Sequence, residues 1–240
     1  MIPIKDNIPR IRLPIVVFTL MALNLLVFLF ELGLPQEDLA VLFHLQGVVP
    51  ARFTDPTWAS VTGYPPGGWS AIFTYMFLHG GWLHIILNMW VLWIFADNVE
   101  DALGHWRFLA FYLTCGLLAV GLHVFFNPDS TMPVIGASGA IAGVMGAYFR
   151  LFPLARIMVL IPLLFIPWIV EIPALVFLGI WFFLQVLSGL MPNSPHETSQ
   201  GVAWWAHVGG FVCGMLLVRL FGPLDCRYCY VPETRNYERR

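Results

Sequence analysis

Three polar side chains that suit acyl-transfer chemistry stand near the beginnings of apolar segments: His84, Ser138 and His207. A serine hydroxyl becomes a good nucleophile only when a base removes its proton, and histidine is the side chain that most often does so. With a rise of about 1.5 Å per residue, all three lie within roughly 10 Å of the same end of their helices. Ser138 is therefore a candidate nucleophile and His207 a candidate base.

A tetrahedral intermediate also needs hydrogen-bond donors aimed at its oxyanion. His84 and Asn88 are four residues apart, on one helix face, and both can donate. Ser138 lies near a predicted helix N-terminus, where backbone N–H groups are free. Taken alone, a serine beside glycine, or a single His or Asn, more often serves packing or interhelical hydrogen bonding in a membrane helix. Their occurrence together at one depth favours a functional role.

The sequence offers no clear acidic partner for His207. Apart from Glu31 at the end of the first apolar segment, the one carboxylate well inside these segments is Glu171. We expect Glu171 at the N-terminus of the fifth helix, stabilised by the helix dipole and roughly 25 Å from that helix's other end. The sequence thus predicts a Ser-His dyad and leaves open what orients His207.

The segments that carry these residues are apolar enough to cross a membrane. Of 240 residues, 59% are hydrophobic and 11% charged, whereas a soluble domain carries roughly 25% charged residues. A span needs about 20 mostly apolar residues. Prolines interrupt the apolar stretch that leads into the fifth candidate. The six predicted spans are Pro14–Glu31, Gly81–Phe95, Phe108–Phe126, Ala137–Phe152, Trp168–Leu190 and Val202–Phe221.

The basic residues predict the orientation of these spans. Of the 12 Lys and Arg residues, all but Arg52 fall on one side of the predicted topology. Because basic residues concentrate in cytoplasmic segments, both termini are predicted to be cytoplasmic. We predict one all-α domain at 14–222 between cytoplasmic tails at 1–13 and 223–240.

The loops carry three further predictions. The long outer loop between spans one and two contains two apolar stretches, Leu39–Val49 and Trp69–Leu78, which predict interfacial helices. The polar segment Pro192–Gly201 is predicted to cap the outer end of span six. Cys226 and Cys229 are expected to be reduced thiols, because no second ligand pair lies nearby to complete a zinc site. We predict no metal and no cofactor.

Small residues are spaced so that two helices can approach closely. One stripe follows Ser138 along span four, and the other follows His207 along span six. We predict that these stripes face each other and bring the serine hydroxyl to the imidazole. The stripes consist of Ser138, Ala142 and Gly146, and of His207, Gly210 and Gly214.

Three motifs resemble those of the rhomboid family of intramembrane serine proteases. HGGWLHIILN (His79–Asn88) is similar to the family's second-span motif and GASGAIAG (Gly136–Gly143) to its GxSG serine motif. AHVGGFVCG (Ala206–Gly214) is similar to the AHxxGxxxG pattern of its sixth span. A four-residue series resembles the family's second loop and third span: Glu100, Gly104, Phe108, Tyr112 and Gly116.

The resemblance implies a six-transmembrane-helix rhomboid-type bundle. Ser138 would be the nucleophile and His207 the base, with Asn88, His84 and the Ser138 backbone N–H forming the oxyanion hole. Supporting positions would be His79, Gly136, Gly139, Gly210 and Gly214.

The implied activity is that of a serine endopeptidase that cuts single-span membrane proteins near the outer face of a prokaryotic plasma membrane, through an acyl-enzyme. The site would lie in a cavity gated by span five and the 192–201 cap. Its environment would be the lipid bilayer, with no nucleic-acid partner.

Two positions depart from patterns seen in some relatives. Trp69 is followed by Ser70, where those relatives carry Trp-Arg. Ala142 stands one turn after the serine, where some relatives carry an aromatic residue that stacks on the base. Neither departure removes a reacting group.

Three alternatives remain in view. A non-catalytic relative that binds membrane clients would lack the serine or the histidine, and this chain has both. A transporter or proton channel would place ionisable groups across the membrane, whereas His84 and His207 occupy one layer. A zinc protease would need HExxH, but Ile85 follows His84.

Overall fold

The computed structural model describes residues 1–163, 166–191, 203–221, 229–231 and 236–238, and it is predominantly helical. The predicted cap Pro192–Gly201 and Cys226 lie outside these residues, whereas Cys229 begins a short strand. Helices α1 to α10 are Ile15–Leu32, Gln36–Gln46, Pro50–Thr54, Pro56–Val61, Ala71–Thr74, Trp82–Leu103, His105–Phe126, Ser138–Leu151, Ala174–Leu190 and Trp204–Leu217. Strands β1 to β5 are Ile2–Asp6, Arg156–Leu163, Ile166–Pro173, Cys229–Val231 and Asn236–Glu238.

Long apolar helices make this an integral membrane protein. Within the described part of the chain, α1, α6, α7 and the stretch Trp204–Phe221 are long and apolar enough to cross a bilayer. Helix α9 is apolar but has 17 residues, and α8 has 14. At about 1.5 Å per residue, α8 is roughly 21 Å long. It lies in the interior, with most of its residues buried.

A helix forms in each of the six predicted segments, but the start of the fifth was predicted wrongly. Residues 168–173 belong to β3, and the helix begins at Ala174. The run before it is rich in Ile and Val and bounded by prolines, and β-branched residues favour strands while proline interrupts helices. Glu171 therefore lies in a strand rather than at a helix N-terminus. It is exposed, 3.9 Å from the Arg156 guanidinium.

A three-stranded antiparallel sheet joins the N-terminus to the hairpin before α9. Its order is β1-β2-β3, and β1 carries an irregularity between Pro3 and Lys5. The segment predicted as a tail at 1–13 therefore contains a paired strand. Near the end of this strand, Asp6 accepts hydrogen bonds from the Tyr148 hydroxyl of α8 and from Asn98 of α6. Asp6 thus joins the C-terminal ends of α6 and α8 to the sheet.

The region between α1 and α6 is folded into short helices, which we call the α2–α5 region. The stretch Leu39–Val49 largely overlaps α2, and Trp69–Leu78 contains α5 and a 3₁₀ turn at Tyr75–Phe77. Val48 pairs with Val134 through two backbone hydrogen bonds. The region therefore holds the segment that leads into Ser138.

Helices α8 and α10 run in the same direction and touch through their backbones. A Cβ atom on Gly210 would lie 2.0 Å from the carbonyl oxygen of Gly139, and one on Gly214 would lie 1.8 Å from that of Gly143. A Cβ on Gly146 would meet the α10 backbone at 2.0 Å. Since real Cβ contacts of this length do not occur, these positions require glycine at this helix separation. The prediction that the two small-residue stripes face each other is confirmed.

The end of α6 farthest from His84 holds the beginning of α1. The backbone N–H groups of Val16 and Val17 donate to the Glu100 carboxylate at 3.0 and 2.9 Å. His105, the first residue of α7, lies 2.5 Å from the same carboxylate. A carboxylate at a helix N-terminus satisfies free N–H groups and interacts favourably with the helix dipole. Glu100 thus joins α1, α6 and α7.

Candidate active site

The structure brings Ser138 and His207 into direct contact. Ser138 is the first residue of α8, and His207 lies in the first turn of α10. The His207 Nε2 atom is 2.9 Å from the Ser138 Oγ atom. Both side chains are partly exposed. This is the distance and direction needed for an imidazole to remove a hydroxyl proton.

The other ring nitrogen of His207 meets a residue that the sequence analysis missed. His207 Nδ1 lies 2.8 Å from Oε1 of Gln185 on α9. The search for a triad partner considered carboxylates and so passed over an amide. A signal was available: Gln185 is the one amide side chain in an otherwise almost wholly apolar α9, four residues after Trp181.

Aromatic rings from two helices flank the His207 imidazole. The Trp181 ring of α9 has its centroid 6.0 Å from that of His207 at an interplanar angle of 33°. Trp204 meets the imidazole edge-on, with centroids 6.1 Å apart. The aromatic neighbour that Ala142 cannot provide is therefore supplied from α9 and from the first turn of α10.

His84 and Asn88 both reach the backbone just before Ser138. An added Cβ on Gly136 would lie 2.6 Å from His84 Nε2 and 3.5 Å from Asn88 Nδ2. The N–H of Gly80 donates to His84 Nδ1 at 3.4 Å, which leaves the Nε2 atom as the proton-bearing nitrogen. Two side-chain donors thus converge on this segment.

Asn88 is buried, yet its amide nitrogen has no hydrogen-bond partner among the described residues. Such orphaned donors are uncommon in folded proteins and call for an explanation. The first N–H groups of α8, beginning at Ser138, also lack acceptors within their helix. The site therefore contains several donors available to an incoming negatively charged oxygen.

Gly136 allows this approach because it has no side chain. Its φ of +116° lies in a region that favours glycine, and its N–H donates to the Tyr75 carbonyl at 2.8 Å. A larger residue would be strained and would also strike His84. Gly139 is the second residue of α8 and packs against α7. A Cβ added to it would lie 2.9 Å from the Ala119 Cβ.

His79 lies beside His84 and contacts α1. Its backbone N–H donates to the Glu31 carboxylate at 3.1 Å, and its ring packs edge-on against His84 with centroids 5.0 Å apart. Burial, with a smaller contribution from the neighbouring His84, lowers the pKa of His79 to about 4. His79 is therefore neutral near pH 7 and adds no charge beside the two donors.

Comparison with known proteins identifies similar sequences over much of the chain. A family model described as Rhomboid domain matches residues 66–224. The chain is 36% identical over 94 residues to the putative rhomboid protease YdcA of Bacillus subtilis, which covers 37% of this chain and 46% of that protein. It is 34% identical over 91 residues to presenilin-associated rhomboid-like protein A, mitochondrial, of Danio rerio, covering 37% and 24%.

A third relative is the rhomboid protease GluP of Bacillus subtilis, 38% identical over 81 residues, which covers 34% of this chain and 15% of that protein. The chain thus spans less than half the length of each of these curated relatives.

Proposed function

The chain belongs to the rhomboid family, and on this premise we propose that it is a serine endopeptidase that cuts membrane proteins within or beside their spans. The observation that carries the proposal is the 2.9 Å contact between His207 Nε2 and Ser138 Oγ. The protease names of two relatives agree with it. Ser138 and His207 are the proposed catalytic residues.

The reaction would begin when a peptide carbonyl carbon of the substrate meets Ser138 Oγ. His207 Nε2 removes the hydroxyl proton as the C–O bond forms, and the carbonyl oxygen becomes an oxyanion. Asn88, His84 and the Ser138 backbone N–H would stabilise that oxyanion. His207 then gives the proton to the leaving amine, which leaves an acyl-enzyme on Ser138. Water, deprotonated by the same imidazole, hydrolyses the ester and restores the hydroxyl.

The proposed substrates are single-span membrane proteins. The site lies at the first turns of two helices that pack in a membrane protein, next to the α2–α5 region. A peptide bond must leave a helix before it can extend across Ser138, because helical hydrogen bonds enclose the backbone. A substrate span would therefore unwind near its end, beside the site.

For the topology we propose six spans with both termini cytoplasmic, the site opening to the outer face of a prokaryotic plasma membrane. The spans would be α1, α6, α7, α8, α9 and α10. Helix α8 is short for a bilayer of about 30 Å, but its buried position within the bundle means that it need not span the full lipid thickness itself. We retain 14–222 as the proteolytic domain between segments 1–13 and 223–240.

The test is cleavage of a single-span reporter protein in liposomes by the wild type and by Ser138→Ala and His207→Ala. Each variant is expected to lose at least about 1000-fold in rate, because the two residues act as a unit. Ser188→Ala, a serine substitution on α9, serves as the matched control and is expected to cut like the wild type. A fluorophosphonate should label Ser138 in the wild type.

Cleavage that persists in Ser138→Ala, or labelling at another residue, would contradict the proposal. Folded wild type that binds the reporter but cuts no member of a substrate panel would instead favour a non-catalytic client-binding function.

A further inference from the structure

One buried contact has no place in the two-residue mechanism. Gln185 is 7% exposed, and its Oε1 atom lies 2.8 Å from His207 Nδ1. A buried amide inside an apolar helix is unfavourable unless it is hydrogen-bonded. Here its oxygen is directed at the nitrogen that a triad acid would contact. The position invites a functional explanation that builds on the proposed protease activity.

We propose that Gln185 is a positioning residue, which orients the His207 imidazole from α9 and fixes the tautomer whose Nε2 lone pair faces Ser138. In a neutral imidazole, one nitrogen carries a proton and the other accepts a hydrogen bond. The amide oxygen of Gln185 can only accept, so His207 Nδ1 carries the proton. The Nε2 atom is then free to accept the hydroxyl proton of Ser138.

The opposite tautomer would disable the site. If the amide nitrogen of Gln185 faced His207, Nδ1 would accept and Nε2 would carry the proton. Two proton-bearing groups, Nε2–H and Oγ–H, would then confront each other, and His207 could not act as the base. The orientation of one amide group therefore decides whether the Ser138–His207 pair is competent.

An amide supplies direction without charge. A carboxylate in this place would stabilise the imidazolium that forms during the reaction, but an ionised side chain inside the membrane is costly. Gln185 provides the same hydrogen-bond geometry at lower desolvation cost. As a consequence, the His207 imidazole of the wild type faces a neutral amide on α9, and no negative charge on that helix shifts the pH dependence of the reaction.

The contact also makes the base depend on the position of α9. Gln185 and Trp181 are four residues apart on one face of α9, and both meet His207. Helix α9 packs on α10 through side chains such as Phe182 and Phe211, whose rings stack 4.8 Å apart. An outward movement of α9 would remove both contacts from His207 while α8 and α10 remain joined through their backbones. His207 would thus be fully oriented only while α9 keeps the position that it has in this structure.

Two substitutions at Gln185 test this role with the liposome assay. Gln185→Leu keeps the approximate size but removes the acceptor, and we expect kcat to fall about 10- to 100-fold with KM changed less than twofold. Gln185→Glu restores an acceptor and adds charge. We expect it to keep more activity than the leucine variant and to move the acid limb of the kcat/KM profile upward by about one pH unit.

A measurement that needs no turnover completes the test. The ¹⁵N signals of the His207 ring should show Nδ1 protonated in the wild type and a mixture of tautomers in Gln185→Leu. Ser188→Ala, one turn away on α9, is the control and should resemble the wild type in every measurement. Thermal unfolding in detergent is measured for all four proteins, and kcat is compared per folded molecule. This is needed because Gln185→Leu leaves His207 Nδ1 unpaired and Gln185→Glu adds a buried charge.

Wild-type kcat in Gln185→Leu, or a loss of activity that only follows a loss of thermal stability, would overturn the inference. So would a pH profile of Gln185→Glu that coincides with that of the wild type. These results differ from failure of the proposed function, in which the wild type cuts nothing or Ser138→Ala still cuts.

Discussion

The two ends of α6 both bury polar side chains, but they use them differently. At one end, Asn88 is 7% exposed and its amide nitrogen has no hydrogen-bond partner in the described part of the chain. At the other end, Glu100 is 1% exposed and its carboxylate receives Val16 N–H, Val17 N–H and His105 Nδ1. The first end keeps a donor unused, and the second uses its acceptors to join three helices.

This difference teaches that burial of a polar group in a membrane helix does not by itself indicate chemistry. Replacing a buried side chain that is fully hydrogen-bonded should lower the stability, because its partners are left buried and unpaired. Removing a group whose donor is unused should cost little stability and should affect the reaction instead. Substitutions at the two ends of α6 can therefore separate the two roles.

The largest expected effect is on catalysis. In Asn88→Ala we expect kcat for reporter cleavage to fall about 100- to 1000-fold, because one of the proposed oxyanion donors is lost. Thermal unfolding should change little, since no described residue loses a hydrogen bond. Asn24→Ala is the matched control: Asn24 is fully buried in α1, and within the described part of the chain its side chain donates to the Leu20 carbonyl of its own helix. If the two variants show equal kcat, Asn88 has no special role in the reaction.

The next effect is on stability and concerns the opposite end of the same helix. In Glu100→Gln, the new amide NH₂ must face a backbone N–H of α1, and a buried donor is left unpaired. We expect the free energy of unfolding to fall by about 2–3 kcal/mol, measured by denaturation in mixed micelles. The kcat per folded molecule should stay within about twofold of the wild type, by the same separation of roles. A variant as stable as the wild type but inactive would reverse our assignment of this end.

The two parts of the site differed in how far the sequence could predict them. The contact between Ser138 and His207 was predicted from their residue types and spacing, and the glycines at 210 and 214 predicted the close approach of α8 and α10. Gln185 was missed because its contact with His207 depends on which face of α9 turns toward α10. Because nearly all 17 residues of α9 are apolar, its sequence does not show which face packs against the neighbouring helices.

The fold showed a similar division. The long helices follow directly from apolar length, which is a local property of the sequence. The hairpin β2-β3 and its pairing with β1 were not predicted, because the apolar run before α9 fits either a span or buried strands. Pairing between residues 2–6 and 157–160 is a non-local contact. Glu171 was consequently placed in the wrong kind of element.

The smallest expected effect concerns the three-stranded sheet, which contacts the C-terminal ends of α6 and α8 through Asp6. Burial raises the pKa of Asp6 from 3.8 to about 6, although the hydrogen bond from Tyr148 opposes the shift. Because the folded-state pKa exceeds the unfolded value, this contribution to stability is complete below about pH 4 and is lost as the pH rises through 6. Between pH 5 and 7.5 the wild type should lose about 1.5 kcal/mol through Asp6.

Asp6→Asn cannot ionise and should lack this part of the pH dependence. The measurement is the difference in free energy of unfolding between Asp6→Asn and wild type at the two pH values, so that titrating groups far from Asp6 cancel. The remaining difference includes the electrostatic interaction between Asp6 and Asp97. Asp6→Asn should become more stable relative to the wild type as the pH rises. A difference that stays constant would mean that Asp6 is not held protonated by burial. The sheet end would then tolerate an ionised group, and the contrast between the two ends of α6 would rest on Glu100 alone.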